Sequence, residues 1–523
     1  MNILQIEDIE DILNDRLKGD EFSTLKSLPT PDKFKDMAKA TKRIVQAIRS
    51  DETINVVGDY DVDGVISTSI MVLFFEALGV EINPIIPNRF EHGYGLSPII
   101  LEQIYDGIVI TVDNGIGAIE ASNIAKQRGL DLIITDHHTV GDTLPNAYAI
   151  INPKQKECTF PFKEICGAQV AWYLCASIKK ELQFDYNLME LFDLLSLAIV
   201  ADIMPMISLN KTMVKAGLKA LEKSARPAIV ALRQRYELST ITEEDIGFKI
   251  APLINCAGRM ADPSIALEFL LSYDEFEANI QLDYLIELNE SRKEDQLKMF
   301  KEAKTQVDTN LPVVVVASTE WNEGIVGIVA SKLCEKYKKP AIVFSIDNET
   351  AKASARSTSS VNLYELIKTC STLLNGFGGH KQAAGLSIQT DKLEEFKKQI
   401  NQNIKELPFL EEDTSTLSLG TFAIQNISPQ VYSLIESYRP FGITNPYPIF
   451  TFRDLEVVNI TKMGKNKEFT KFIVQENNTA MEVIVFVDFD PIDVGEKISF
   501  NATISKNEFR GEIKYNLLFK ELV

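Results

Sequence analysis

The chain has 523 residues, 45% of them hydrophobic, and carries 74 Asp and Glu against 54 Lys and Arg, a formal net charge of −20. That length predicts about three domains at roughly 100–200 residues each, and the charge argues against broad, non-specific adhesion to nucleic acid, so a polyanion must be held by local cations or by metal. The longest apolar runs, such as 70–75 and 313–317, are strand-length and fall well short of the ~20 residues that a membrane helix needs.

Residues 1–50 read as polar and helical, an N-terminal extension that packs against the adjoining domain. The opening M-N-I-L-Q-I-E-D-I-E-D is acidic from Glu7 and lacks a basic n-region, so it does not read as a secretory signal. From Thr53 to Pro153 short apolar strands (54–57, 80–87, 108–112, 131–135) alternate with helical patterns (65–78, 118–128). Such alternation predicts a parallel sheet with helices on both faces. Residues 165–225 read as mostly helical. Residues 276–308 lack Gly and Pro and are rich in helix formers, which predicts one long connecting helix. A smaller α/β region comes next, with strand P-V-V-V-V-A-S, helix I-V-G-I-V-A-S-K-L, strand A-I-V-F-S-I and the Gly-rich G-F-G-G-H (376–380). After the acidic break E-E-D-T-S-T (411–416) short strands with turn signals, at 460–474, 480–486 and 497–504, predict a small all-β barrel. Six cysteines are scattered with no C-x-x-C pair, which speaks against a zinc or disulfide framework and for a reducing cytoplasm.

Three strand ends carry the chemistry. G-D-Y-D-V-D-G (58–64) puts Asp59, Asp61 and Asp63 just after a buried strand, T-V-D-N-G (111–115) puts Asp113 after a second, and T-D-H-H (135–138) puts Asp136, His137 and His138 after a third. Residues there face the crevice where open α/β sheets bind ligands. Each block alone has an ordinary reading: a polar turn, an Asn-Gly turn with a helix cap, a capping His pair. D-x-D-x-D-G also matches the first half of a calcium loop, but the twelfth position is Ile70 rather than Glu and the preceding segment is a strand. The coincidence of all three blocks favours a cluster of hard oxygen and imidazole ligands suited to manganese or magnesium. Asp202, ending the apolar run A-I-V-A-D (198–202), is either a solvated helix end or a further ligand.

These blocks, in this order, resemble the DHH phosphoesterase superfamily. Further blocks resemble its RecJ family of bacterial single-strand-specific 5′→3′ DNA exonucleases: R-F-E-H-G-Y-G-L-S (89–97), I-N-P-K-Q (151–155), A-P-L-I-N-C-A-G-R (251–259), G-I-V-G-I-V-A-S-K-L (324–333), A-S-A-R-S (353–357), G-G-H-K-Q-A-A-G (378–385) and R-P-F-G-I-T-N-P-Y-P-I-F (439–450). The resemblance runs from about residue 50 to the C-terminus and takes in all four histidines. It implies a DHH domain over 51–275, a connecting helix over 276–308, a DHHA1 domain over 309–408 and an oligonucleotide-binding (OB) barrel over 415–523. It assigns Asp59, Asp61, Asp113, His137 and Asp202 as ligands of two divalent ions, Mn2+ or Mg2+, with Asp113 bridging, and His138 as a ligand or phosphate contact. Asp63 and Asp136 orient the ligands from behind. Arg89, Ser354 and Arg356 would read the 5′ end, Arg259 would meet phosphate near the metals, and Tyr94, Asn255 and His380 complete the substrate-binding set. Two metals roughly 3.5–4 Å apart suit phosphodiester hydrolysis, and no activated Ser or Cys is required. Implied partners are single-stranded DNA with a 5′ end, a helicase and a single-strand-binding protein, for a monomer with no membrane association.

In the C-terminal region K-M-G-K-N-K-E-F-T-K (462–471) combines cations with an aromatic, which suits single-strand binding and equally suits a solvated hairpin. Departures from the family pattern are Asn322 after Trp321, Lys211 after Asn210, and I-M-P-M after Asp202; none removes an implied ligand. Two other readings compete. A phosphodiesterase for short oligonucleotides or cyclic dinucleotides would lack the barrel and the 89–97 block. An inactive DNA-binding scaffold would have lost ligands of the cluster.

Overall fold

A computed structural model describes residues 3–408, 418–464, 469–486, 492–509 and 512–523. The chain divides into two compact units, one of residues 31–201 and 221–413, the other of residues 1–30, 202–220 and 414–523.

In the first unit, strands β1 (Ile54–Val57), β2 (Asn83–Ile85), β3 (Ile108–Val112), β4 (Asp131–Thr135) and β5 (Ala149–Ile151) form one sheet in the order β2-β1-β3-β4-β5. Every neighbouring pair is parallel. The β1, β3 and β4 sequences are largely apolar because both faces are covered. Val57, Val109, Leu132 and Ile134 share a core with Leu101 and Ala121 of the helices Pro98–Glu102 and Ile119–Gln127. Helices Val62–Ala77 and Gly167–Leu182 also pack on the sheet. β1, β3 and β4 are the three central strands, and Val57 pairs with Thr111 and Val112 with Thr135, so their C-terminal ends are level.

The connecting helix spans Glu275–Gln306, 32 residues, capped by Asp274, whose side chain accepts the Glu277 N–H. Its buried residues Ala278, Leu282, Leu285, Asn289, Gln296, Met299 and Ala303 recur at helical spacing along one side. Near its start the Leu285 carbonyl takes the Cys256 thiol at 3.3 Å; near its end Met299 and Ala303 enter the core of the second sheet with Val314, Val316 and Val343. That sheet is mixed: β6 (Val314–Ser318), β7 (Ala341–Asp347), β8 (Thr350–Arg356), β9 (Leu374–Gly379) and β10 (Ala383–Gln389) run in the order β6-β7-β8-β10-β9, with only β6–β7 parallel. The Gly-rich G-F-G-G-H is therefore largely strand: Gly376–Gly379 pair with β10, and His380 comes next.

In the second unit, β11 (Ser418–Thr421) flanks β12 (Ile449–Met463), β13 (Phe469–Glu476), β14 (Thr479–Val485), β15 (Lys497–Phe509) and β16 (Glu512–Leu522). The order β12-β13-β14-β16-β15 closes through a β12–β15 pairing, giving a five-stranded barrel around Phe450, Phe452, Phe472, Phe500 and Phe519. The N-terminal stretch, expected as one extension, is split between the units. Ile9 and Leu13 of helix Ile6–Arg16 enter the barrel core, and the Leu4 N–H bonds the Thr421 carbonyl at 2.9 Å. Helix Met37–Arg49 instead packs on Gly167–Leu182 and β5. Of the basic hairpin, Lys465 to Glu468 lie outside the described residues; Lys471 pairs with Glu482 at 3.0 Å and Lys462 donates to Thr470 Oγ1 at 2.6 Å. Lys211, also in this unit, donates to the Tyr438 and Pro440 carbonyls, so the departure there serves local structure.

Because the connecting helix enters the core of the second sheet, truncating a side chain there should be costly. Met299→Ala is expected to lose about 2–5 kcal/mol, read as a lowered urea midpoint at unchanged slope.

Candidate metal centre and substrate cleft

The level ends of β1, β3 and β4 bring the acidic blocks together. Asp59 comes two residues after β1, Asp113 directly after β3 and Asp136 directly after β4. Oxygen atoms of Asp59, Asp61 and Asp113 lie within 4.8 Å of one another, and so do ligand atoms of Asp113, His137 and His138. Asp113 belongs to both sets. The His137 Nε2 lies 3.2 Å from Asp113 Oδ1 and 3.7 Å from Asp63 Oδ2.

The electrostatics favour cations. Burial, reinforced by the Asp61 charge, pushes the Asp59 carboxyl well above the usual carboxylate range. Burial and then the Asp63 charge raise Asp61. Burial lowers the His137 imidazole, which keeps it neutral and able to coordinate. Carboxylates crowded and buried in this way are stable as anions only with positive charge among them. The donor set, hard oxygen with imidazole and no thiolate, fits Mn2+ or Mg2+.

Other members of the blocks hold this set in place. Asp63 accepts the Gly167 and Ala168 N–H groups at 2.5 and 2.8 Å, so its carboxylate sits at the N-terminus of helix Gly167–Leu182. Asp136 accepts the Ile116, His137 and His138 N–H groups at 2.7–3.0 Å and the His138 Nδ1 at 2.8 Å. Burial opposes its charge, but the His138 hydrogen bond and charge and the backbone donors outweigh that and lower its pKa. The Asn152 amide fixes the His138 carbonyl at 3.0 Å. Asp113 has a left-handed backbone, φ 63°, a conformation that Asp and Asn tolerate better than most side chains. Asn114 closes the turn, donating to the Val57 and Val112 carbonyls and accepting the Leu96 N–H. Asp61 caps helix Val62–Ala77 through the Gly64 N–H, and the Asn255 Oδ1 accepts the Val62 N–H at 3.2 Å. Asn255, expected on substrate, thus braces the acidic loop through its side-chain oxygen. Asp202 comes directly after helix Phe192–Ala201 and is half-buried.

That cleft, of about 1150 Å³, is bounded on one side by Tyr60, Arg89, Tyr94, Asp136, His138 and Arg259, and on the other by Ser354, Arg356 and His380. Arg89 stacks on Tyr60, 4.2 Å from the ring centre, and Tyr60 meets Tyr94 edge-on at 6.0 Å. The Tyr94 hydroxyl is 3.3 Å from His138 Nε2. Across the cleft Arg356 donates to Ser354 Oγ at 2.9 Å. Both face Gly327 in the first turn of helix Val326–Tyr337; a Cβ there would lie 3.0 Å from Ser354 Oγ and 3.4 Å from an Arg356 nitrogen. A helix N-terminus, a hydroxyl and a guanidinium together make an anion seat. Arg259 joins the two sides by donating to the Gly324 carbonyl at 3.1 Å. Burial and then the nearby Arg89 bring its guanidinium down to about 10, the mark of cations gathered without enough anion. Asn322, a departure from the family pattern, accepts the Gly324 N–H at 2.7 Å and shapes that crossing. His92 serves structure: its Nδ1 accepts the Asn88 N–H at 3.0 Å and braces the 88–97 loop.

Sequence reasoning passed over two positions of this site. Gly167 carries no charge, but a Cβ on it would lie 2.5 Å from both Cβ and Oδ1 of Asp113. Only a glycine lets the helix start this close to the shared ligand. Lys352 also lines the cleft, and the period-2 alternation of A-K-A-S-A-R places it on the same face as Ser354 and Arg356.

Comparisons with known proteins agree with this layout. The model of the DHH family N-terminal domain matches residues 53–199, that of the DHHA1 domain residues 310–406 and that of the RecJ OB domain residues 420–521. The chain is 35% identical over 443 residues to the single-stranded-DNA-specific exonuclease RecJ of Escherichia coli, covering 79% of this chain and 77% of that protein. It is 34% identical over 511 residues to that of Bacillus subtilis, covering 94% of this chain and 64% of the relative. The crystal structure of RecJ in complex with Mn2+ from Thermus thermophilus superposes with a TM-score of 0.86 at 25% identity, covering 99% of this chain and 75% of that one.

Gly167→Ala is expected to displace the Asp113 carboxylate. Calorimetric titration with manganese should show affinity lowered at least tenfold, with the far-ultraviolet circular dichroism unchanged.

Proposed function

The chain belongs to the RecJ family of single-stranded-DNA-specific exonucleases, and from that premise we infer that it hydrolyses single-stranded DNA from the 5′ end, releasing 5′-mononucleotides, in DNA recombination and repair. The observation that carries the reading is one cleft lined on one side by His138, a member of the carboxylate–histidine cluster, with Asp136 beside it, and on the other by a separate anion seat.

Asp59, Asp61, Asp113, His137 and Asp202 would hold two divalent ions, Mn2+ or Mg2+. Bound there, the ions supply a nucleophilic water at neutral pH and neutralise charge on the phosphoryl group under attack. The chain's own residues do the rest. Asp136 fixes both histidines through its hydrogen bonds, and Asp63 anchors the neighbouring helix start. Arg259 meets the scissile phosphate, and Arg89, held flat on Tyr60, clamps it from the other side. Tyr94 stacks a base. Ser354, Arg356 and the Gly327 turn seat the 5′ phosphate, with His380 closing the same wall.

Single-stranded DNA with a free 5′ end is the substrate, with a helicase to expose it and a single-strand-binding protein to present it. Both the cluster and the seat come from one chain, which supports action as a monomer. Among the described residues no helix is long and apolar enough to cross a membrane. None of the six cysteines is in a disulfide, which supports a reducing setting.

Two substitutions divide the roles. Asp113→Ala should abolish hydrolysis in manganese buffer, at least a thousandfold, with the fold intact by circular dichroism; retained activity would refute the ligand assignment. Arg356→Ala should erase most of the preference for 5′-phosphoryl over 5′-hydroxyl ends. Both are read with 5′- and 3′-labelled single strands beside a duplex control. Strong cleavage of dinucleotides with none of long strands would instead favour the small-substrate phosphodiesterase.

A further inference from the structure

Lys352 and Glu323 form an ion pair in the wall of the cleft. The ammonium lies 3.2 and 3.0 Å from the two carboxylate oxygens. Both residues line the cleft, with side chains 52% and 34% exposed. On the face of β8 that carries Ser354 and Arg356, Lys352 occupies the next position outward, ~6.6 Å along the strand from Ser354 at two residues' rise. The alternate residues Ala351, Ala353 and Ala355 are buried and anchor that strand in the core of the sheet. Glu323 is equally fixed, because the next residue, Gly324, is gripped from both sides. Asn322 takes its N–H and Arg259 its carbonyl, and a Cβ on it would fall 2.1 Å from the Arg259 carbonyl oxygen.

A cation beyond an anion seat is placed for the next charge of a polyanion. Successive phosphates of an extended strand are separated by a distance of the same order as two residues of a β-strand. The Lys352 ammonium points to Glu323 and not back to Ser354, so it does not complete the seat itself. Glu323 occupies the place a phosphate oxygen would take.

We propose that Lys352 contacts a substrate phosphate distinct from the one at Ser354 and Arg356, and that Glu323 competes for Lys352 in the free enzyme and is displaced by the strand. The proposal rests on the exonuclease reading. The carboxylate then acts as an internal decoy: it lowers affinity for single strands while keeping the lysine extended and ordered. An ordinary exposed ion pair contributes little to anything and shows no substrate dependence.

The test uses the full chain with single-stranded DNA of fixed length, with KM measured over a range of potassium chloride concentrations. Lys352→Met should raise KM about 5- to 10-fold, more than it lowers kcat, and should do so equally for 5′-phosphoryl and 5′-hydroxyl ends. The slope of log KM against log salt should become shallower by about 0.7, the value for removing one phosphate interaction with a single strand. Glu323→Gln should move KM the opposite way, about threefold down, with a steeper salt slope. Effects of the same sign in both variants, or unchanged KM in both, would overturn the proposal, as would a Lys352→Met defect confined to 5′-phosphoryl ends. Wild-type enzyme inactive on single strands would instead defeat the underlying exonuclease reading, so the two failures are distinguishable.

Discussion

The constraint on which the structure turns is the mutual repulsion of carboxylates buried at the ends of adjacent parallel strands. Asp59 and Asp113 are almost wholly buried, Asp61 stands between Asp59 and Asp63, and His137 sits among them. In water such groups would separate. Here the level ends of β1, β3 and β4 keep them within a few ångströms, and the sheet cannot relax because its strands are covered on both faces. A fold that confines anions in this way stores unfavourable charge that protonation or bound cations must relieve. The same feature makes the site a catalyst, since cations held by crowded carboxylates are positioned before substrate arrives.

The rest of the first sheet is the apparatus that tolerates this. Asp63 gives its charge to a helix start, Asp136 gives its to four donors, and Asn114 ties two strand ends and the 88–97 loop into one turn. Each commits hydrogen-bonding capacity of a carboxylate or amide to the fold, although Asp63 stays 3.7 Å from His137 Nε2. On the proposed reading T-D-H-H and D-x-D-x-D, which look like runs of equivalent ligands, would separate into groups that coordinate and groups that aim.

Much of this was legible in the chain. The strands and helices bearing the blocks lie where alternation and helical spacing put them, and the long helix, free of Gly and Pro, spans Glu275–Gln306. What escaped has identifiable causes. Gly167 matters through the atom it lacks, and absence leaves no chemical signature in one sequence. Asn255 sits in a block rich in the residues of a binding site, and its bracing role, with the side-chain oxygen on the Val62 N–H, is a contact 193 positions away in the chain that spacing does not reveal. Lys352 was detectable, because strand period puts it beside Ser354 and Arg356, but it lies one residue outside the A-S-A-R-S block. The division of residues 1–50 depended on which core would accept Ile9 and Leu13, and a helix stripe of two residues does not name its acceptor.

The cleft gathers two opposite electrostatic demands, and the substrate solves both. In the metal cluster anions are crowded until cations arrive. Beside it, Arg89 and Arg259 on the same side and Arg356 across the cleft are close enough that burial and then the Arg89 charge depress the Arg259 guanidinium, so these cations want an anion. The Arg259–Gly324 hydrogen bond and the connecting helix, which packs on helix Ala251–Met260 at one end and in the core of the second sheet at the other, set how far apart these demands lie. On the proposed reading a phosphodiester chain would bridge them, because it offers charges at regular intervals: one would rest in the cationic seat while another lay at the carboxylate–histidine cluster. The regular interval is also why the ion pair at Lys352 matters, since a cation already neutralised by protein extends that row of charges only when a strand is present to replace its partner.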